Sequence, residues 1–225
     1  MNALHRWCLV LIGITSGMAG IIGCSRARTS HEEAPRSPRE GSSRLLIAAV
    51  DRSGSTDAVR EQQLNQLDLI AKIALSSDIP LSVWAFDNKA IQIWGDRVPH
   101  DLDALDGVKS KHLTPVQDNS RRITRPALLL EALNDHLKRS SAQQVYIVIL
   151  TDGDSEDAND TPRILKAARD IATRPNMHVC IAGVRPEARS LWKKAFGEMP
   201  EDRMDLLGPE EAGDVLQQFL QKITN

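Results

Sequence analysis

The sequence predicts an α/β fold: a doubly wound, mostly parallel six-stranded sheet with helices on both faces and one antiparallel edge hairpin strand. Three observations predict it. Residues 45–50, and 144–150 and 178–184 after an opening Gln144 and His178, are runs of hydrophobic residues and glycine, the pattern of strands covered on both sides in a parallel sheet. Segments of helical spacing lie between these runs, which implies right-handed crossovers rather than tight hairpins. One pair breaks the rule: Asp87-Asn88-Lys89 is turn chemistry between two short apolar stretches, so a hairpin adds the antiparallel strand.

The 225 residues are 41% hydrophobic and 26% charged, a globular composition that allows one domain after residue 43. A formal charge of −2 gives no basic footprint for nucleic acid, which is therefore not an expected partner. Aromatic residues are only 4%, so the core must be aliphatic. Cys8, Cys24 and Cys180 are too few and too scattered for a disulfide framework or a zinc site. Cys180 lies in an apolar run and is read as a plain buried thiol.

Residues 1–23 read as an export segment: His5 and Arg6 precede an apolar run with small residues near its end. The run is short and glycine-rich for a membrane-spanning helix. Its end, Ile21-Ile22-Gly23-Cys24, resembles the lipobox of bacterial lipoproteins. That resemblance implies lipidation of Cys24, which would become the first residue of the mature chain and hold it to a membrane at the periplasmic face of the cell envelope. An uncleaved anchor with an incidental cysteine is the alternative. Ser25 is compatible with transfer to the outer membrane. Residues 24–43 carry mixed charges and no apolar side chain beyond alanine and proline after the cysteine. Such a stretch cannot bury enough surface to offset its ordering entropy and reads as a tether. The folded domain is assigned to residues 44–225.

Within the domain the elements follow in order. Residues 45–50 form the first buried strand. Asp57 is placed to cap a helix running to about residue 77, with Leu64, Leu67, Ala71 and Ala74 on one stripe. Asp78-Ile79-Pro80 stops it. Residues 81–86 and 90–94 form the hairpin, the second strand at the edge. Residues 96–123 carry Pro99, Pro115 and no sustained period, and read as a long surface loop with helical pieces near 102–105. Pro126 opens a helix to about 139, capped by Thr124 or Arg125. A strand at 144–150 follows, then a helix from Asp160 to about 173, a strand at 178–184, a helix at about 187–196, a weak strand at 203–207 and a final helix at 209–223.

Chemistry gathers where the strands end. The first strand runs into Asp51-Arg52-Ser53-Gly54-Ser55, which alternates one carboxylate with two hydroxyls. The strand at 144–150 runs into Thr151-Asp152-Gly153. Carboxyl ends of parallel strands are where open α/β sheets bind ligands, so both aspartates can face one crevice. Oxygen-only ligands suit a hard cation such as Mg²⁺, although Asp, Ser and Gly also build ordinary turns. The element order and these two motifs together resemble a von Willebrand factor type A domain, a Rossmann-like fold, over residues 44–223. The resemblance implies a metal-ion-dependent adhesion site for Mg²⁺, or Mn²⁺ or Ca²⁺, held by Asp51, Ser53, Ser55, Asp152 and a middle-loop threonine. Thr124 matches that threonine best, with Thr114 and Ser120 as competitors, because the glycine that commonly precedes it is absent from Ser120-Arg121-Arg122-Ile123-Thr124. Thr124 could instead simply cap the helix. Three neutral hydroxyls and two carboxylates leave such a cation incompletely neutralised, so an acidic side chain of a protein partner is the natural further ligand.

Other readings are weaker. The acidic stretch from Asp152 to Asp160 lacks the glycine and the bidentate glutamate of a calcium loop and reads as a solvated rim. Arg121, Arg122 and Arg125 are either solvated charge or an attraction for an acidic partner. His100, His112 and His178 show no paired spacing; the first two read as loop surface and the third as structural. A metal-dependent phosphoesterase would use Asp51 as nucleophile, but Ser53 stands where the second aspartate of the haloacid dehalogenase type belongs. The sequence therefore predicts no enzyme but a lipid-anchored protein-binding module of the bacterial envelope. A scaffold that binds through another face, with the metal only structural, is the alternative.

Overall fold

Alternation along the first strand sets the architecture. In the computed structural model, which describes residues 43–113, 123–155, 159–211 and 213–224, β1 (Arg44–Asp51) is buried from Leu45 onward. Leu45, Ile47 and Ala49 point into one core and Leu46, Ala48 and Val50 into another. A strand that is apolar at every position has to be covered twice, and helices cover it on both sides. The expected export segment, Cys24 and the tether through Ser42 lie outside the described residues.

The sheet has six strands: β1, β2 (Leu81–Phe86), β3 (Ala90–Arg97), β4 (Gln144–Leu150), β5 (Met177–Ala182) and β6 (Met204–Leu207), in the order β3-β2-β1-β4-β5-β6. All neighbours are parallel except the β2–β3 hairpin, as the sequence predicts. On one face Leu129, Leu130 and Leu133 of α3 (Pro126–Arg139), Ile164 and Ile171 of α4 (Asp160–Ala172) and Trp192 of α5 (Arg189–Ala195) pack over β1 and β4. On the other, Leu67 and Ile70 of α1 (Arg60–Ser76), Leu105 of α2 (Asp103–His112) and Phe219 and Leu220 of α6 (Asp214–Thr224) do the same.

Four local expectations are corrected. Asp57 caps nothing: Gly54–Val59 forms a 3₁₀ turn and α1 starts only at Arg60, whose side chain turns back into the protein. Residues 103–112 form a full helix rather than fragments. Asp101 Oδ1 accepts the Ala104 N–H at 2.7 Å, Asp103 and Asp106 open the helix and Lys109, Lys111 and His112 close it, charges that complement its dipole. His112 thus belongs to a helix end, not a loop. β3 continues to Arg97 through a register shift, with Trp94 buried and the Arg97 guanidinium 3.9 Å from its ring centroid. The last helix starts at Asp214, five residues after Pro209, because Glu211 accepts the Gly208 N–H at 2.8 Å and pairs with Arg189 at 2.6 Å, which holds this stretch as a turn.

Candidate metal site

The strand order puts a topological switch at β1. The chain leaves β1 towards β2 and β3 on one side, then returns to lay β4, β5 and β6 on the other. The crevice at the carboxyl ends of β1 and β4 is the place where such sheets bind ligands. Register completes the arrangement: Val50 lies opposite Leu150, so Asp51 and Thr151 leave the sheet side by side.

Asp51 is fully buried and both its oxygens are held. The Ser53 N–H donates to Oδ1 at 2.9 Å and the Thr151 hydroxyl donates to Oδ2 at 2.7 Å. Thr151 is fixed in turn, because its Oγ1 accepts the Gly153 N–H at 3.0 Å. Burial pushes the Asp51 carboxyl up to about 6; the bonds from Ser53 and Thr151 oppose the rise and the nearby Asp152 carboxylate adds to it. The hydroxyls of Ser53 and Ser55 lie 3.0 Å apart, on the same side of the turn.

A buried arginine braces this turn. Arg60 donates to the carbonyl of Asp51, to the carbonyl of Ser53 at 3.3 Å, to Thr56 Oγ1 at 2.8 Å and to Gln63 Oε1 at 2.9 Å. Thr56 also donates to the carbonyls of Asp51 and Ser53, and Gln63 reaches across to the Leu150 carbonyl at 3.3 Å. The ends of β1 and β4 are thereby tied together beneath the carboxylates.

Thr124 is completely buried, and its hydroxyl has no hydrogen-bond partner among the described residues. It does not cap α3: Arg125 is the capping residue, without a side-chain bond, and Pro126 follows. The segment is anchored to the same rim, since the Arg125 N–H donates to the Asp87 carbonyl at 3.0 Å and Asp87 pairs with buried Arg52 at 2.9 Å. No direct bond joins Thr124 to Asp51, Ser53, Ser55 or Asp152 among the described residues. Asp152 is 4% exposed; its Oδ1 accepts the Asp154 N–H at 3.3 Å, and its Oδ2 lies 3.1 Å from Arg185 without hydrogen-bond geometry. Ser55, Asp152, Arg185, Gln62 and Gln63 line a cleft of about 100 Å³. The Thr124 hydroxyl, without a hydrogen-bond partner among the described residues, and an Asp152 oxygen held only by an ion pair join a further carboxylate and two hydroxyls in a donor set whose chemistry fits a hard divalent cation. Among the described residues no three His, Cys, Asp or Glu side chains gather to hold a metal, so hydroxyls would have to do much of the binding.

No family model matches the chain, and no curated protein sequence matches it. Solved structures do. The PilB minor pilin from Streptococcus sanguinis superposes with a TM-score of 0.60 at 15% identity, over 84% of this chain and 63% of that one. A von Willebrand factor type A structure from Catenulispora acidiphila gives 0.56 at 16% identity, over 80% of this chain and 42% of that one. The manganese-loaded Plasmodium vivax TRAP protein gives 0.56 at 20%, over 79% and 74%. The chain has the fold of a von Willebrand factor type A domain. It spans less than two thirds of the pilin and less than half of the Catenulispora protein.

Set on this type A fold, Thr151, quoted from the sequence only as part of a motif, gains a task of its own, and three further residues matter that the sequence did not single out. Thr151 grips Asp51, Arg60 and Gln63 brace the first loop, and Arg185 faces the second. A basic residue five positions after an Asp-x-Ser-x-Ser motif carries no recognisable signal, because its role depends on folding back. The acidic stretch is not a solvated rim throughout: Asp160 is completely buried, paired with Arg125 and with Arg163 at 3.3 Å each, so Arg125 is engaged within the domain. Thr114, Ser120, Arg121, Arg122 and the middle of the acidic stretch lie outside the described residues. His178 is structural, stacked on Tyr146 at 4.8 Å.

Proposed function

We propose that this type A domain is a metal-dependent protein-docking module, carried on a flexible tether from lipidated Cys24 in the bacterial envelope. Asp51, Ser53, Ser55, Thr124 and Asp152 would hold Mg²⁺ or Mn²⁺, and the cation would supply a Lewis-acid position for a carboxylate oxygen of a partner's Asp or Glu. The observation that carries this reading is the buried hydroxyl of Thr124, which has no hydrogen-bond partner among the described residues and is anchored to the rim on which Asp51 and Asp152 sit. The residues of the rim have defined tasks. Thr151 and the Ser53 amide orient the Asp51 carboxylate, Arg60 keeps the hydroxyl-bearing turn in shape, and burial keeps competing water from the two carboxylates. The manganese-loaded state of the TRAP neighbour supports a divalent ion.

A pull-down from solubilised envelope membranes tests the proposal. Capture of a partner in Mg²⁺, its loss in EDTA, and its loss with folded Asp51→Ala are the expected results. An Asp51→Ala protein that keeps its partner with unchanged affinity would refute metal-mediated docking. That outcome would favour a scaffold role through another face, with the cation only structural.

A further inference from the structure

Arg185 stands where it contacts both halves of the candidate site. It follows β5, and its own N–H donates to the Asp152 carbonyl at 2.9 Å, so the side chain starts from a fixed point beside the second motif. From there the guanidinium spreads over three groups. Nη2 lies 3.1 Å from Asp152 Oδ2, Nη1 donates to Asp154 Oδ2 at 3.1 Å, and Nη2 reaches the Ser55 carbonyl at 3.5 Å. Two of these three contacts fall on residues of the proposed cation set. Both Asp152 oxygens are consequently engaged by the protein itself, Oδ1 by the Asp154 amide and Oδ2 by the guanidinium.

A guanidinium and a divalent cation cannot share one carboxylate oxygen at contact distance without mutual repulsion, and that repulsion is strong beside a buried carboxylate. The backbone tie keeps Arg185 near the site, whereas its side chain, 43% exposed, has room to swing into solvent. The charged head therefore has room to release Asp152 while its other nitrogen stays on Asp154. Asp154 gives it a second carboxylate to lean on.

We propose that Arg185 sets the affinity of the cation site: an internal cation that competes with the metal for Asp152 and fixes the concentration at which metal is taken up. This inference rests on the assignment of Asp51, Ser53, Ser55, Thr124 and Asp152 to a divalent cation. Uptake of the metal is then a displacement, in which Asp152 exchanges the guanidinium for the metal and Arg185 retains its salt bridge to Asp154.

The test is a Mn²⁺ titration of the full-length chain in detergent by calorimetry, with Arg185→Gln and Arg185→Lys beside the wild type and Asp152→Ala as control. Arg185→Gln is expected to bind Mn²⁺ about tenfold more tightly than the wild type, since a like charge a few ångströms from the ion is removed. Arg185→Lys, which keeps the charge but loses the fork that spans Asp152 and Asp154, is expected to fall between them. It keeps the test open if Arg185→Gln does not fold. Equal or weaker binding by the folded variants, with Asp152→Ala still abolishing it, would overturn the role of Arg185 and leave the cation site standing. Absence of Mn²⁺ binding in the wild type and the variants alike would overturn both.

Discussion

Asp51 carries a chemical tension that a sequence motif does not convey. Its carboxyl is buried, and in the folded, metal-free chain it holds its proton up to about 6 against an ordinary value of 3.8. Between these values the folded state binds more protons than the unfolded chain. The stability contributed by this group is thus complete below about pH 4 and is lost as the pH rises through about 6. Urea melts in EDTA across that window are expected to show stability falling with pH, and Asp51→Asn is expected to remove this part of the slope. A slope unchanged by the substitution would locate the titration elsewhere. The motif Asp-x-Ser-x-Ser was legible from the sequence because its residues are adjacent. The partners that hold it, Thr151 a hundred residues on and Arg60 turned back beneath the loop, were not, because their roles come from strand register and from a 3₁₀ turn in place of the expected helix start.

The rim's shape depends on how the strand ends are joined. Gly183 leaves β5 with φ +95, and a Cβ there would stand 2.9 Å from the carbonyl oxygen of Thr151, the residue that grips Asp51. Gly183→Ala is expected to cost about 1–3 kcal/mol of stability, read as a lower urea midpoint with unchanged slope. A neutral result would mean that the β4 and β5 ends move apart freely. Long buried strands and the hairpin turn were readable, because continuous apolar runs and Asp-Asn-Lys chemistry act locally. α2 was not, since it buries little beyond Leu105 and Leu113, and a helix that contributes so few apolar side chains leaves almost no periodic trace. Its signals were electrostatic: an Asp101 cap, acidic residues first and basic residues last, with Lys109 reaching Asp68 of α1 at 2.6 Å.

For the molecule as a whole, attachment and docking are proposed to be separate functions, one carried by residue 24 and the other by the domain's rim. Cys24→Ala is expected to release the protein from membranes into the soluble fraction while the exported domain stays folded, checked by fractionation and circular dichroism. Retention of the variant on membranes would refute the lipid anchor. Among the described residues no helix is long and apolar enough to cross a membrane. The sequence by itself determined the α/β class, the doubly covered sheet and the two aspartates at strand ends, because hydrophobic alternation and chain-reversing residues are properties of neighbouring positions. It did not determine which strands lie side by side. The order β3-β2-β1-β4-β5-β6, with β4 beside β1, came only from packing two helical layers on one sheet. That order sets Thr151 against Asp51 and closes Arg185 over Asp152.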